Sequence, residues 1–274
     1  MFAAVDIGGT KTLVAVFDAH GKIVEQAKFS TPKDYEDFKI ELAKTVAGLS
    51  TQDFLRTVVA VPGRVDRQRG VGVRFGNLEW VNVPIQKDAE DIFRSPVIVE
   101  NDAKLACLSE ALLLKANYKK VLYVTISTGI GVGLVVNGEI DTAIGDGGGH
   151  TMMLEHKGKI MSWEEFGSGK AIVEKYGKRA EDINDPEIWK AIVKDFAVGI
   201  VELIAVLAPE VIVIGGGVGS HFNKFGILLN KQLKQYETPL MPMPPIVAAK
   251  HPEEAVIYGC YEYAKQHHEK LVTK

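Results

Sequence analysis

Cysteine is scarce. The chain of 274 residues holds two, Cys107 and Cys260, far apart and without metal-ligand spacing. A disulfide framework is therefore not expected, and this thiol usage fits a reducing cytoplasm. Positive charge is not in excess either: 32 Lys and Arg stand against 35 Asp and Glu, a formal net charge of -3. The electrostatic footprint of a phosphate-backbone binder is missing, so no nucleic-acid partner is expected. Long apolar runs are missing too. Stretches such as Val201–Ala208 are too short to span a bilayer, so no membrane partner is expected. The first residues, MFAAVDIGGT, show no basic region followed by an apolar stretch and a cleavage site, so no signal peptide is read there. What remains is 46% apolar and 24% charged residues, the profile of a soluble globular chain long enough for two lobes.

Local patterning gives α/β layers. Phe2–Asp6, Thr12–Asp18 and Ile23–Phe29 read as strands, joined across Gly8-Gly9-Thr10 and across Ala19-His20-Gly21. Tyr35–Leu49 has helical spacing, with Phe38, Leu42, Val46 and Leu49 on one face. Thr57–Val61 is a buried-type strand ending at Pro62-Gly63, Pro84–Phe93 a helix and Val97–Glu100 a strand. Asp102 sits where an N-cap belongs, ahead of a helix over Ala103–Leu114. The layout then repeats. Val121–Ile126 and Gly133–Val136 are strands around a glycine turn, Pro186–Leu207 a long helix, Val211–Ile214 and Ile246–Ala249 strands, and Ala255–Lys265 a last helix. Asp141–Gly169, rich in glycine and methionine, is expected to be a loop or cleft wall. Each half opens with a hairpin whose turn combines glycine with threonine. This predicts two related α/β lobes facing a cleft: residues 1–112 and 113–254, with the last helix, 255–274, returning to the first lobe.

Four motifs carry candidate chemistry. In Asp6-Ile7-Gly8-Gly9-Thr10-Lys11, two glycines allow a turn with positive φ and close ligand approach. Successive N–H groups there form an anion nest, Thr10 adds a hydroxyl, and Asp6 is placed to hold magnesium through water. An ordinary hairpin turn explains the same residues. Ser127-Thr128-Gly129-Ile130-Gly131 is a second such turn, and two of them can grip one polyphosphate. Gly215-Gly216-Gly217 ends an apolar strand and suits a flat group such as adenosine, or is a simple strand-to-helix turn. It lacks GxGxxG spacing, which disfavours a dinucleotide site. In Glu100-Asn101-Asp102 the aspartate closes a strand, where it either caps the next helix or accepts a proton from a substrate hydroxyl during phosphoryl transfer. Taken alone, His150, Glu164 and Glu165 read as structural or surface residues.

The ordered set Asp6–Lys11, Val61-Pro62-Gly63, Glu100-Asn101-Asp102-Ala103, Thr128–Gly131 and Pro209-Glu210-Val211 through Gly217 resembles the ROK family of repressors, open reading frames and kinases. That resemblance covers nearly the whole chain. It implies an actin-like, ribonuclease-H-like double fold and an ATP-dependent kinase for a hexose or an N-acylated hexosamine. By the same resemblance Asp102 is the general base and Asn101 a sugar contact, and Gly63 lies in the loop lining the sugar pocket. His150 and Glu164 touch sugar. The turns with Gly8, Gly9, Thr10 and Lys11 and with Thr128, Gly129 and Gly131 bind ATP phosphates, and Gly215, Gly216 and Gly217 lie near the nucleoside. A homodimer is implied by family habit.

Two departures from the family pattern carry expectations. Zinc-bearing members have a CxCGxxGC cluster after the histidine, whereas Thr151–Trp163 contains no cysteine, so structural zinc is expected to be absent. Packing of Met152, Met153, Trp163 and Phe166 is expected to order that stretch instead. The family glutamate three residues before the histidine is Gly147 here, with Asp146 as its candidate substitute. The family repressors' helix-turn-helix has no counterpart before Phe2, which favours a kinase, with glucose and its 6-hydroxyl as the leading acceptor. The alternatives are a kinase for an N-acylated hexosamine and a non-catalytic sugar sensor of the same fold.

Overall fold

The computed structural model describes Met1–Val272; Thr273 and Lys274, which fall in the expected last helix, lie outside the described residues. In chain order it begins β1 (Phe2–Ile7), β2 (Lys11–Phe17), β3 (Ile23–Ser30), α1 (Tyr35–Ala47), β4 (Arg56–Val61), β5 (Gly63–Asp66), β6 (Val71–Phe75) and β7 (Val81–Val83). Then follow α2 (Ile85–Phe93), β8 (Val97–Asn101) and α3 (Asp102–Leu114). The β3-β2-β1-β4-β8 sheet is antiparallel across β1, β2 and β3 and parallel across β1, β4 and β8. The three parallel strands point the same way. Three sequence motifs therefore leave one edge of this sheet: Gly8–Thr10 after β1, Pro62-Gly63 after β4 and Asn101-Asp102 at the end of β8.

Helix α1 shows why the sequence folds this way. Asp34 caps it by accepting from Glu36 N at 2.8 Å and Asp37 N at 3.2 Å. The expected face is buried: Phe38, Leu42 and Val46, with Leu49 just beyond the helix, pack into a core with Val5, Val14, Val59 and Trp80. Each such apolar side chain contributes roughly 1.5–3 kcal/mol. The stretch between Gly63 and Val83 carried no expectation from the sequence. It forms a separate antiparallel sheet, β5-β6-β7.

The second half runs β9 (Lys120–Ile126), β10 (Ile130–Val136), β11 (Glu139–Ile140), α4 (Gly148–Thr151), β12 (Met153–His156), β13 (Lys159–Ser162), α5 (Trp163–Gly167) and α6 (Gly169–Tyr176). It continues with α7 (Pro186–Leu207), β14 (Val211–Gly215), α8 (Gly216–Gly219), α9 (Phe222–Leu233) and β15 (Ile246–Ala248). Its sheet order, β11-β10-β9-β14-β15, repeats the antiparallel-then-parallel plan of the first. The last helix, α10 (Ala255–Val272), stacks Tyr261 on Phe17 with ring centroids 5.0 Å apart and donates from Tyr261 Oη to Ala19 O at 3.1 Å. The chain thus divides into two compact units. One comprises Met1–Ser109 and the described part of Val256–Lys274, the other Glu110–Ala255. The division falls within α3, between Ser109 and Glu110, rather than after residue 112. Among the described residues, no helix is long and apolar enough to cross a membrane.

Two expectations hold only in part. Asp141–Gly169 is not a plain loop: it holds α4, the β12–β13 hairpin and α5, whose first turn is closed by a Ser162/Glu165 capping box. Trp163 and Phe166 are buried and Met152 packs against the same core, as expected, but Met153 points outward and is 55% exposed. It sits on β12, where alternation directs its side chain away from the core.

Candidate active site

The first glycine turn follows β1. Gly8 N donates to Lys11 O at 3.0 Å. Thr31, just past β3, braces the turn twice: its hydroxyl donates to Gly8 O at 2.8 Å and its N–H to Thr10 O at 3.0 Å. Neither Gly8 nor Gly9 has positive φ, contrary to expectation. Gly8 is required for closeness instead, since a Cβ there would lie 2.8 Å from Lys11 O. The carbonyls of Gly8 and Thr10 are thus occupied, whereas the N–H groups of Gly9 and Thr10 donate to no acceptor among the described residues. Lys11 opens β2 with its side chain exposed, and Asn77 lies beside Gly9.

Asp6 stands one residue before the end of β1 and is only partly exposed. Burial, and then the neighbouring Asp102 carboxylate, push its pKa up to about 7. Asp102 begins α3 rather than capping it. Asn101 supplies the cap, accepting from Lys104 N at 3.2 Å, while Asp102 Oδ1 accepts from Ala103 N at 2.7 Å. Asn101 also donates from Nδ2 to Gly63 O at 3.0 Å, bringing two expected sugar-pocket residues together. Its second amide hydrogen remains as a donor.

The second turn has the same logic and a different brace. Ser127 O accepts from Gly169 N at 2.6 Å and Gly129 O from Ser127 N at 2.9 Å, and Thr128 O from Lys170 N at 3.4 Å. The N–H groups of Thr128 and Gly129 donate to no acceptor among the described residues. The next N–H, of Ile130, donates to Glu164 Oε2 at 2.9 Å. A Cβ at Gly129 would collide with that carboxylate. Glu164 Oε1 lies 3.6 Å from His150 Nδ1, whose side chain is largely exposed, so two expected sugar contacts meet beside a phosphate-type turn. Gly131 continues into β10, opposite Thr125.

At Gly147, the position where the resemblance expects a glutamate, a Cβ would overlap Thr151, so a side chain there requires Thr151 to shift. Gly215 ends β14 beside Thr125 of β9, and Gly216, with φ of 80°, donates its N–H to Pro252 O at 3.1 Å. Nothing lies within 4 Å of a Cβ built on the exposed Gly217, which leaves room there for a flat group.

Three features have no sequence signal. Thr31 and Asn77 are distant in sequence from the turn they serve or adjoin. Glu100, 1% exposed, pairs with Arg67, a contact spanning 33 residues. Among the described residues no group of three or more His, Cys, Asp or Glu side chains is placed to hold a metal ion, and both cysteines are buried. A magnesium ion needs fewer protein ligands, because it keeps several waters. Asp6 fits such water-mediated binding, since its unfavourable ionisation beside Asp102 is relieved by a nearby cation.

Known proteins share this arrangement of elements. Residues 2–267 match the ROK family model. The chain is 23% identical over 309 residues to a glucokinase of Streptomyces coelicolor, covering 96% of each. It is 30% identical over 298 residues to an N-acetyl-D-glucosamine kinase of Haemophilus influenzae, covering 94% of this chain and 97% of that one. The crystal structure of a ROK family glucokinase from Streptomyces griseus in complex with glucose and AMPPNP shares the fold, with a TM-score of 0.82 at 23% identity over 97% of this chain and 99% of that one. A family match from residue 2 to residue 267, over strands that end in the family's motifs in the family's order, means that the chain belongs to the ROK family.

Proposed function

We propose that the protein is an ATP-dependent sugar kinase that phosphorylates a hexose hydroxyl, with the glucose 6-hydroxyl as acceptor. One observation carries the reading. In two turns of similar design the carbonyls of Gly8, Thr10, Ser127, Thr128 and Gly129 accept hydrogen bonds from the chain, while the N–H groups of Gly9, Thr10, Thr128 and Gly129 donate to no acceptor among the described residues. This is the donor arrangement that binds phosphate oxygens. It is supported by the glucokinase and N-acetyl-D-glucosamine kinase names borne by relatives over nearly their full length.

In this reading the two turns, with Lys11 and Gly131 at their edges, hold the ATP phosphates, and Gly215, Gly216 and Gly217 lie against the nucleoside. Asn101, His150, Glu164 and the Gly63 loop hold the sugar. Asp102 takes the proton of the acceptor hydroxyl. The hydroxyl oxygen bonds to the γ-phosphorus while the bond to the bridging oxygen breaks, and ADP leaves with that electron pair. Asp6 would hold magnesium through water, and the ion when bound neutralises phosphate charge. Positioning and charge stabilisation supply most of the rate, so no covalent nucleophile is required.

A second reading, an N-acylated hexosamine acceptor, is favoured by the 30% identity to the Haemophilus N-acetyl-D-glucosamine kinase. One experiment tests both: ADP release with ATP and glucose, mannose, fructose, N-acetylglucosamine or N-acetylmannosamine. Glucose leading supports the first reading and an amino sugar leading the second. Sugar binding without ADP release with any of them overturns both in favour of a sensor.

A further inference from the structure

The Arg67–Glu100 ion pair has no part in the reading above, yet it touches the same strand end. Glu100 and Asn101 are consecutive in β8, and each reaches a different end of β5. Asn101 Nδ2 donates to Gly63 O, at the first residue of β5. Glu100 takes Arg67, the residue after β5, in a two-pronged grip: Arg67 Nε donates to Oε2 at 2.7 Å and Arg67 Nη2 to Oε1. Glu100 Oε1 also accepts from Asn101 N at 2.6 Å, which fixes the peptide carrying the Asn101 side chain. The bonds close a ring: Glu100 to Arg67, along β5 to Gly63, across to Asn101, and back through one peptide.

The burial is asymmetric. The Glu100 side chain is 1% exposed and that of Arg67 27%. A buried carboxylate is costly unless hydrogen-bonded on most of its lone pairs, and three donors meet that need here. A two-pronged guanidinium grip also fixes direction as well as charge, which a lysine does not reproduce. A four-residue strand held at both ends by adjacent residues of β8 has little freedom to drift from Asp102.

The geometry points to Arg67 and Glu100 as positioning residues that hold the Gly63 loop in register with Asn101 and Asp102, and so set acceptor affinity and alignment rather than nucleotide affinity. This rests on the proposed acceptor role of Gly63, Asn101 and Asp102. Neither side chain needs to touch substrate.

The test uses the neutral double variant Glu100→Gln/Arg67→Met, which leaves no orphaned buried charge, together with Arg67→Lys. Hydrogen exchange of the ligand-free protein over Gly63–Phe75 reads the tether without reference to activity. Faster exchange there, relative to β9 and β14, is expected in both variants. Unchanged exchange overturns the tether. Steady-state kinetics with ATP and glucose, or N-acetylglucosamine if that is the better acceptor, reads its consequence. A misplacement of about 1 Å costs up to roughly 100-fold. We expect sugar kcat/KM to fall about 10- to 100-fold in the double variant and less in Arg67→Lys, with the KM for ATP within about twofold of the parent. Loosened exchange with unchanged sugar kinetics, or a parallel rise in the KM for ATP, overturns the positioning role. A parent that phosphorylates no sugar refutes the kinase reading instead, and the exchange experiment still decides the tether.

Discussion

The two glycine turns invite direct comparison. Each joins the first two strands of a five-stranded sheet, ties back at least two of its carbonyls and leaves two successive N–H groups with no acceptor among the described residues. The brace differs. The first turn is held by the neutral hydroxyl and N–H of Thr31, with acids set apart at Asp6 and Asp102. The second is held by the Glu164 carboxylate, which also faces His150. One hairpin plan therefore serves two ends: in the first unit turn and acid are separate parts, and in the second one carboxylate both braces the turn and faces His150, the arrangement in which the proposed reading gives it sugar as well.

The sharpest test of that separation is Asp102→Asn. Loss of a general base reduces turnover by roughly 10²–10⁴-fold, and because Asn101 is the helix cap, the fold should persist. Circular dichroism matching the parent, with kcat within a few-fold of it, would end the assignment.

Asp6 comes next, read through stability. Its carboxyl holds a proton to about pH 7 in the folded chain, against an unfolded value of 3.8. Unfolding thus releases a proton between these values, so stability falls as pH rises from about 4 to 7 and stays low above that. The full difference is on the order of 4 kcal/mol. Thermal melts of ligand-free protein should show Asp6→Asn more stable than the parent at pH 8, with a flatter profile from pH 4 to 8. Parallel profiles would contradict the burial argument.

Glu164→Ala should then break the second unit's economy. Loss of a charge-assisted bond to Ile130 N, worth about 1.5–3 kcal/mol, predicts that KM rises for both sugar and ATP, roughly 10- to 100-fold for the more affected. A change confined to sugar would separate the two duties. The smallest effect belongs to Thr31→Val, which removes only neutral bonds, those of its hydroxyl with Gly8 O and with the Thr12 hydroxyl: KM for ATP rises about 2- to 10-fold and KM for sugar holds. Equal changes in both would erase the contrast between the braces.

Much of this was legible in the sequence because it rests on local pattern. Short apolar runs flanking glycine turns marked the hairpins, helical spacing marked α1 and α7, and strand-end motifs fell on one sheet edge because parallel strands point the same way. The illegible parts are tertiary. Thr31 bracing Gly8, Glu164 reaching Ile130 N and Arg67 gripping Glu100 link residues 23 to 34 positions apart. The cap at Asn101 rather than Asp102 turns on one residue of helix boundary, where pattern is weakest. The β12–β13 hairpin was hidden because glycine and methionine around it blur the period of two.

The route of the chain through α10 has a consequence for biogenesis. The first unit encloses Phe17 against Tyr261, so it lacks a wall until α10 has been made. The second unit is one uninterrupted segment. During synthesis, which proceeds from the amino terminus, the second unit can complete its interior while the first still waits for α10.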